Sequence, residues 1–203
     1  MEKLEYKVLY KDILSPKRKP EIVQASAMQF LMVDGVGDPN VSPEFADAVS
    51  VLYGIAYGIK FGRKKIGQEP DFSLGPLEAL WSDSDLLRMP DKSRWGWTAM
   101  LWLPDFVTPE SVRDRVAELK QKKPSPALDS VGLHILEEGT CVQTLYIGSY
   151  NDEAPTIEAM HKFASDQGYR LEGKHHELYF SDPRKTAPEK LKTIIRQPIR
   201  AKL

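Results

Sequence analysis

Hydrophobic positions recur in a regular order of elements from residue 29 onward. The apolar run 29–35 predicts a short strand, and Ser42 followed by Pro43 is typical of a helix N-terminus. The next apolar positions repeat at helical spacing along one stripe: Phe45, Val49, Leu52, Ala56 and Ile59. Two further apolar segments, 72–81 and 94–103, are typical of strands. This half of the chain is therefore predicted as strand, helix, strand, strand.

The second half of the chain repeats that order. Residues 141–148 predict a strand, and the helix that follows begins near Asp152 and ends at Gly168. Segments 173–180 and 191–199 predict two more strands. Because the same four elements occur twice, the pattern indicates an internal duplication.

The third elements of the two halves also agree in sequence. Residues 77–83 read LEALWSD and residues 176–182 read HELYFSD. Both segments carry a glutamate, three hydrophobic positions and a Ser-Asp pair in register. This alignment predicts that Glu78 and Glu177 occupy equivalent positions in the two repeats.

The remaining segments frame the two repeats. Residues 1–28 are weakly patterned and are expected to form a peripheral N-terminal arm, whereas residues 29–203 form one domain. Its first repeat spans 29–103, a helix at 108–123 connects the repeats, and the second repeat begins at about residue 131. We expect an α+β fold in which two pseudo-twofold repeats form an antiparallel sheet, with helices on one face and a ligand groove between the repeats.

Charge and composition narrow the classes of function. The 203-residue chain carries 28 lysines and arginines against 29 aspartates and glutamates, so it lacks the positive charge with which proteins neutralise nucleic acid. Direct nucleic-acid binding is not expected. The chain has no signal-like segment and no apolar run long enough to span a membrane, and its single cysteine, Cys141, has no partner for an internal disulfide. We therefore expect a cytoplasmic protein without membrane contact.

The two glutamates stand among apolar and aromatic neighbours. Strand alternation places Glu78 on one face with Leu80, and Glu177 on one face with Tyr179. A carboxylate in an aromatic pocket can neutralise an aromatic cation, or it can take a proton from a water molecule that attacks a bound electrophile. The plainer alternative is that both are half-exposed strand residues paired with lysine or arginine, and that the tryptophans belong to the core.

Aromatic side chains are dense around these glutamates, and all four tryptophans fall between residues 81 and 102. The side chains expected to contact a ligand are Trp81, Trp97, Tyr146, Tyr179, Tyr53 and Tyr57. Flat aromatic rings stack on planar ligands, so the sequence favours an aromatic or cationic small molecule as the partner.

Metal and cofactor motifs are missing from the sequence. His175 and His176 fall on opposite faces of a strand and do not form a metal-ligand spacing with the other histidines. Gly35-Val36-Gly37 lacks the third glycine and the helix context of a nucleotide-binding loop. We expect neither a metal nor a cofactor.

Several stretches resemble the GyrI-like small-molecule-binding family. They read FSLGPLEALWSD at 72–83, WGWTAMLWL at 95–103, EGTCVQTLYIGSY at 138–150 and, most specifically, GKHHELYFSDPRKTAPEKLKTIIRQP at 173–198. The resemblance covers about residues 29–199 and is closest to the stand-alone branch. It implies two strand-helix-strand-strand repeats with a ligand groove between them.

The same resemblance implies candidate functions and residue roles. Fused members of the family are multidrug-sensing domains, and the stand-alone branch includes hydrolases that open the cyclopropyl ring of DNA-alkylating dienones. The family's pocket glutamate falls on Glu177, and the acidic and aromatic positions of the first repeat fall on Glu78 and Trp81. Tyr146 stands where many relatives have histidine. The implied chemistry is water attack assisted by Glu177 or Glu78.

Two functional hypotheses remain open at this stage. The first is a detoxifying hydrolase for cyclopropyl-containing electrophiles. The second is a non-catalytic protein that binds or sequesters multiple drugs, or that modulates a protein partner such as DNA gyrase, for which the sequence offers no support. Both functions need the same groove, so sequence alone does not separate them.

Overall fold

The computed structural model describes residues 3–68, 70–82 and 91–202. The strands are β1 (Leu4–Glu5), β2 (Glu21–Ala25), β3 (Met28–Val36), β4 (Phe72–Ser73), β5 (Leu77–Trp81), β6 (Gly96–Trp102), β7 (Gly132–Leu136), β8 (Gly139–Ile147), β9 (Tyr169–Leu171), β10 (His175–Tyr179) and β11 (Lys192–Ala201). The helices are α1 (Tyr6–Leu9), α2 (Pro43–Lys65), α3 (Pro109–Lys122), α4 (Ala127–Ser130) and α5 (Ala154–Asp166). Short 3₁₀ turns occupy Lys92–Arg94, Tyr150–Asp152 and Pro188–Lys190. Asp83, the last residue of the first aligned segment, lies outside the described residues.

The large sheet confirms the predicted duplication. Its strand order is β2-β8-β11-β10-β5-β6-β3-β7, and β9 pairs with β11. Strands β3, β6 and β5 of the first repeat therefore mirror β8, β11 and β10 of the second, with the antiparallel pair β5 and β10 at the centre. The α+β fold class is confirmed.

The register predicted for the two repeats is wrong by one residue. A twofold axis that exchanges two adjacent antiparallel strands runs normal to the sheet, so it keeps every residue on its own face. Glu78 lies opposite Leu178, which shares its face, and the next residue, Glu177, points to the other face. Glu78 and Glu177 are therefore not equivalent.

Backbone hydrogen bonds give the correct equivalence. The N–H of Ser82 donates to the carbonyl of Gly96, and the N–H of Phe180 donates to the carbonyl of Lys192 in the same way. Ser82 thus matches Phe180 rather than Ser181. Counting back along the strands, Glu78 matches His176 and Ala79 matches Glu177.

Helices α2 and α5 cover one face of the sheet. The Ser42 hydroxyl accepts from the N–H groups of Glu44 and Phe45, as expected for a helix cap. Phe45 packs edge-on against Trp97 at a centroid distance of 5.0 Å, and α5 packs its apolar stripe against Ile195. Trp97 lies opposite Trp81 and Ile195 lies opposite Glu177, so both helices lie on the Glu177 face. No helix in the described part of the chain is both long and apolar enough to cross a membrane.

The N-terminal residues are integral to the fold, contrary to the expected peripheral arm. Tyr6 is buried and stacks on Trp102, with ring centroids 5.0 Å apart, and Ile13 and Leu14 are also buried. Trp102 shares a sheet face with Glu78, so this segment covers the face that the helices leave open. Strand β2 then pairs with β8 at the sheet edge. Burial of these apolar side chains supplies the free energy that orders the segment.

Candidate functional site

A cavity of about 520 Å³ lies between the centre of the sheet and the N-terminal ends of the two principal helices. Its walls come from both repeats, namely from α2 and β5 of the first and from β10 and the segment just before α5 of the second. The lining residues are Pro39, Asn40, Phe45, Ala46, Val49, Tyr53, Pro76, Leu77, Trp81, Lys92, Trp95, Tyr150, Glu153, Glu177, Tyr179, Phe180, Ser181, Asp182, Pro183 and Arg184. The cavity is thus a cleft between the repeats, of a size typical for small-molecule sites.

Glu177 lies on the floor of this cavity and has a fixed orientation. Only 6% of its surface is exposed. The hydroxyl of Tyr179 donates to Oε2 at 2.7 Å, and Nε2 of His175 lies 3.2 Å from Oε1. Burial opposes ionisation, but these hydrogen bonds outweigh it and hold the pKa of Glu177 below its usual value. Glu177 is therefore a buried, oriented carboxylate.

A second carboxyl group, that of Glu153, lies within hydrogen-bonding reach of Glu177. Glu153 is the residue that precedes α5, and its side chain caps no backbone N–H of that helix. Burial and the charge of Glu177 raise the pKa of Glu153 to about 10. Two carboxylates in contact do not both ionise readily, so the pair holds one proton at neutral pH.

Seven of the twenty residues that line the cavity are aromatic. Three of the expected ligand-binding residues, Trp81, Tyr179 and Tyr53, line it, and so do Trp95 and Tyr150, which were not among them. Trp95 packs edge-on against Trp81 at 5.7 Å, and Tyr150 packs edge-on against Tyr179 at 5.6 Å. Nζ of Lys92 lies over the ring of Trp95, 5.1 Å from its centroid, so a cation already occupies one face of that ring.

Trp97, one of the other expected ligand-binding residues, does not line the cavity. It is buried over the backbone of Gly35, where an added Cβ atom would lie 2.2 Å from the indole ring. Only glycine at residue 35 leaves room for this indole. Trp97 acts instead as a support for Phe45, which does line the cavity.

Tyr146 and Tyr57 also lie away from the cavity lining. Tyr146 turns back on its own loop, where its hydroxyl donates to the carbonyl of Ser149 at 2.8 Å. Tyr57 is 44% exposed on α2 and stacks between Tyr53 and Phe61. Both residues are aromatic and near the site in sequence, but local geometry directs their rings elsewhere.

Glu78 lies on the opposite face of the sheet, so the expectation that both glutamates share one groove is wrong. It is fully buried, and its Oε2 atom lies 2.9 Å from Nε2 of His176. Nδ1 of His176 lies 3.0 Å from both carboxylate oxygens of Glu138, which also accepts from Arg196 at 3.2 Å. We call these four residues the buried ionic network.

Charges balance within the buried ionic network. Burial alone disfavours a charged imidazole, but Glu138 and Glu78 raise the pKa of His176 to about 9. Burial likewise opposes ionisation of Glu138, yet His176 and Arg196 lower the pKa of that carboxyl to about 2. The network therefore pairs two cations with two carboxylates at neutral pH, and it supports the sheet beneath the cavity without lining it.

Sequence reasoning missed Glu153, although a signal for it was present. The residue directly follows the Asn151-Asp152 pair after the fourth strand of the duplicated pattern, where the chain turns toward a helix. Binding and catalytic residues often lie on such connecting segments. Lys92, Asp182 and Arg184 at the cavity lining lie in loops without periodicity, which gives no such signal. Within the described residues no cluster of three or more metal-ligating side chains occurs.

Comparisons with known proteins agree with this geometry. Residues 98–200 match the GyrI-like small molecule binding domain. Two solved structures from Listeria innocua, one of an uncharacterized conserved protein and one of a hydrolase, are each 40% identical and cover 98% of this chain and 100% of their own. Their TM-scores are 0.90 and 0.88.

A more distantly related structure shares only the fold with this chain. The C-terminal domain of EcmrR is 13% identical, covers 91% of this chain and 98% of its own, and has a TM-score of 0.57. No curated protein matches the sequence.

Proposed function

The chain belongs to the GyrI-like family of small-molecule-binding domains, and we propose that it hydrolyses planar, cyclopropyl-containing electrophiles as a detoxifying enzyme. The observation that carries this proposal is an oriented carboxylate, Glu177, on the floor of a cavity with aromatic walls. The 40% identical hydrolase from Listeria innocua supports a catalytic rather than a purely binding role.

The cavity suits this chemistry in three respects. The rings of Trp81, Trp95 and Tyr150 provide flat apolar surfaces for a planar substrate. Glu177 is held by Tyr179 and His175 and is in contact with Glu153, and a carboxylate with about four acceptor positions still has room for one water molecule. An oriented water attacks the strained ring more readily than a free one, because its approach is already restricted.

The reaction itself needs little from the protein beyond position and proton transfer. In a cyclopropyl dienone, water bonds to a carbon of the three-membered ring, and the broken carbon–carbon bond delivers its electron pair to the six-membered ring. The dienone then becomes a phenol, and the aromaticity gained drives the step. A carboxyl group that moves a proton contributes about 10²- to 10⁴-fold to such a rate.

Turnover under excess substrate tests the proposal. We would mix the protein with a spirocyclopropyl cyclohexadienone in at least about tenfold excess and follow the ultraviolet change on phenol formation. Many product molecules per protein are expected. A burst of one product per cavity, with no further reaction, would contradict the hydrolase function.

Binding without turnover is the second candidate function. It is favoured by the hydrogen bonds of Glu177, since both of its oxygens already have a protein partner and its pKa is lowered, which makes it a weak base. In that case an aromatic cation would be held by the carboxylate and the rings. Saturable binding of such a cation, with no product from any dienone, would support this second candidate.

A further inference from the structure

We propose that Glu153 is a further catalytic residue, the proton donor of the ring opening, and that Glu177 is the carboxylate that keeps the proton on it. This inference rests on the proposed hydrolase function. It arises from the contact between the two carboxyl groups and from their common exposure to the cavity.

The position of Glu153 sets it apart from an ordinary helix-capping glutamate. Its side chain makes no capping hydrogen bond to α5 but turns toward the cavity. One of its carboxyl oxygens, Oε2, is fully enclosed, and no donor in the described residues reaches it. An enclosed carboxyl oxygen without a donor is stable only if the group carries its own proton or receives one from a neighbour.

Glu177 cannot supply that proton, because its own hydrogen bonds stabilise its charged form. Tyr179 donates to one oxygen of Glu177, and His175 lies beside the other. The proton of the pair therefore stays on Glu153, whose pKa is raised to about 10 by burial and by the charge of Glu177. A carboxyl group that is neutral at pH 7 acts as an acid toward a bound substrate.

Several other groups act on Glu153 from the elements around it. Within the described residues they are Lys92 from the turn before β6, Tyr146 from β8, Tyr150 from the 3₁₀ turn, and Glu177 and Tyr179 from β10. Lys92 is the one cation among them, and its effect on the pKa of Glu153 is smaller than that of Glu177. Because the effect of Glu177 exceeds that of Lys92, the protonated form of Glu153 is favoured.

The pair formed by Glu153 and Glu177 gives one proton to the substrate and recovers one from water. Glu153 gives its proton to the dienone oxygen as the cyclopropane carbon–carbon bond breaks and the ring becomes a phenol. The water oxygen bonds to the freed carbon, and the proton that the water loses returns to the carboxyl pair. One water is added to the substrate, and the pair again holds one proton.

Glu153→Gln tests the donor role, with Glu158→Gln on the exposed side of the same helix as the matched control. We expect Glu153→Gln to lower turnover by roughly 10²-fold or more while binding of the ring-opened product stays within about twofold. The wild-type rate should fall as the pH rises through the alkaline range, whereas the residual rate of Glu153→Gln should lack that decline. A merely structural role would leave the shape of the pH profile unchanged.

A second measurement detects the proton without turnover. Infrared spectra at pH 7.5 should show the band of a protonated carboxyl group in the wild type and in Glu158→Gln but not in Glu153→Gln. If the band is missing while the wild type turns over, the donor role is wrong and the hydrolase function stands. If the band is present but the wild type hydrolyses no dienone, both proposals fail. If Glu153→Gln turns over within threefold of the wild-type rate, the donor role alone is overturned.

Discussion

The Oε2 atom of Glu78 lies 2.9 Å from Nε2 of His176, and these two residues occupy equivalent positions in the two repeats. They meet across the pseudo-twofold axis on the face opposite the cavity. On the cavity face, the equivalent positions hold Ala79 and Glu177, which lie opposite each other in register. The sheet therefore separates a structural ion pair on one face from the candidate catalytic carboxylate Glu177 on the other.

Removing the charge of Glu78 should destabilise the fold. Glu78→Gln leaves the protonated imidazole of His176 with one carboxylate fewer in a fully buried environment. We expect a loss of about 3 kcal/mol in the free energy of unfolding, at the low end for a broken buried ion pair because the amide oxygen still accepts a hydrogen bond. Urea unfolding at pH 7 measures it, and Glu158→Gln should change stability by less than about 0.5 kcal/mol.

The pH dependence of stability should report His176. Its pKa in the folded protein is raised to about 9, above the value of about 6.5 in an unfolded chain. The stability that its ion pairs contribute is therefore fully present below about pH 6.5 and is lost as the pH rises through about 9. Urea unfolding between pH 6 and pH 10 should show this decline, and Glu78→Gln should reduce its size. A wild-type stability that stays flat over this range would contradict a charged His176.

Replacing Glu177 should affect chemistry more than binding. Glu177→Gln keeps the size of the side chain but removes the charge and the ability to accept a proton. We expect turnover of a cyclopropyl dienone to fall by roughly 10²-fold or more, with a neutral planar ligand bound about as tightly as before. Calorimetric titration of the ring-opened product and a steady-state assay on the same preparation measure the two effects. Equal losses in binding and in turnover would instead indicate a disrupted cavity.

Two tryptophans provide a matched test of the cavity wall. Trp81 lines the cavity, whereas Trp97, directly opposite it in the sheet, does not, and both are 3% exposed. Trp81→Phe should weaken binding of a planar ligand by about 2- to 10-fold, the range expected for one aromatic contact. Trp97→Phe should leave affinity within about twofold and lower thermal stability instead. The reverse ranking of affinities, measured by calorimetry, would place the ligand elsewhere.

The N-terminal segment should be needed for stability. Tyr6 is 1% exposed and stacks on Trp102, whereas Val8, in the same short helix, is 68% exposed. Tyr6→Ala should lower the free energy of unfolding by about 3–5 kcal/mol, as for other buried aromatic truncations. Val8→Ala should have little effect. Urea unfolding of the two variants distinguishes an integral segment from a peripheral one, for which both changes would be small.

Hydrophobic periodicity by itself determined the principal elements of the two repeats, their order and their duplication, but not the N-terminal elements β1, α1 and β2. The spacing of Phe45, Val49 and Leu52 specifies α2, and Ser42 specifies where it begins, because both signals depend on neighbours within one or two turns. The aromatic and acidic composition around residue 177 likewise indicated a small-molecule site. These are local properties, so the linear sequence contains them.

Tertiary structure decided which faces the side chains occupy. A shift of one residue in strand register moves a side chain to the other face of the sheet, and the Ser-Asp endings of the two repeats suggested a register that the backbone hydrogen bonds do not adopt. Glu78 was thereby assigned to the groove although it belongs to the buried ionic network. Conversely, Glu153 reaches Glu177 only because two strands and a helix cap meet in space, a contact between distant chain segments that no local pattern specifies.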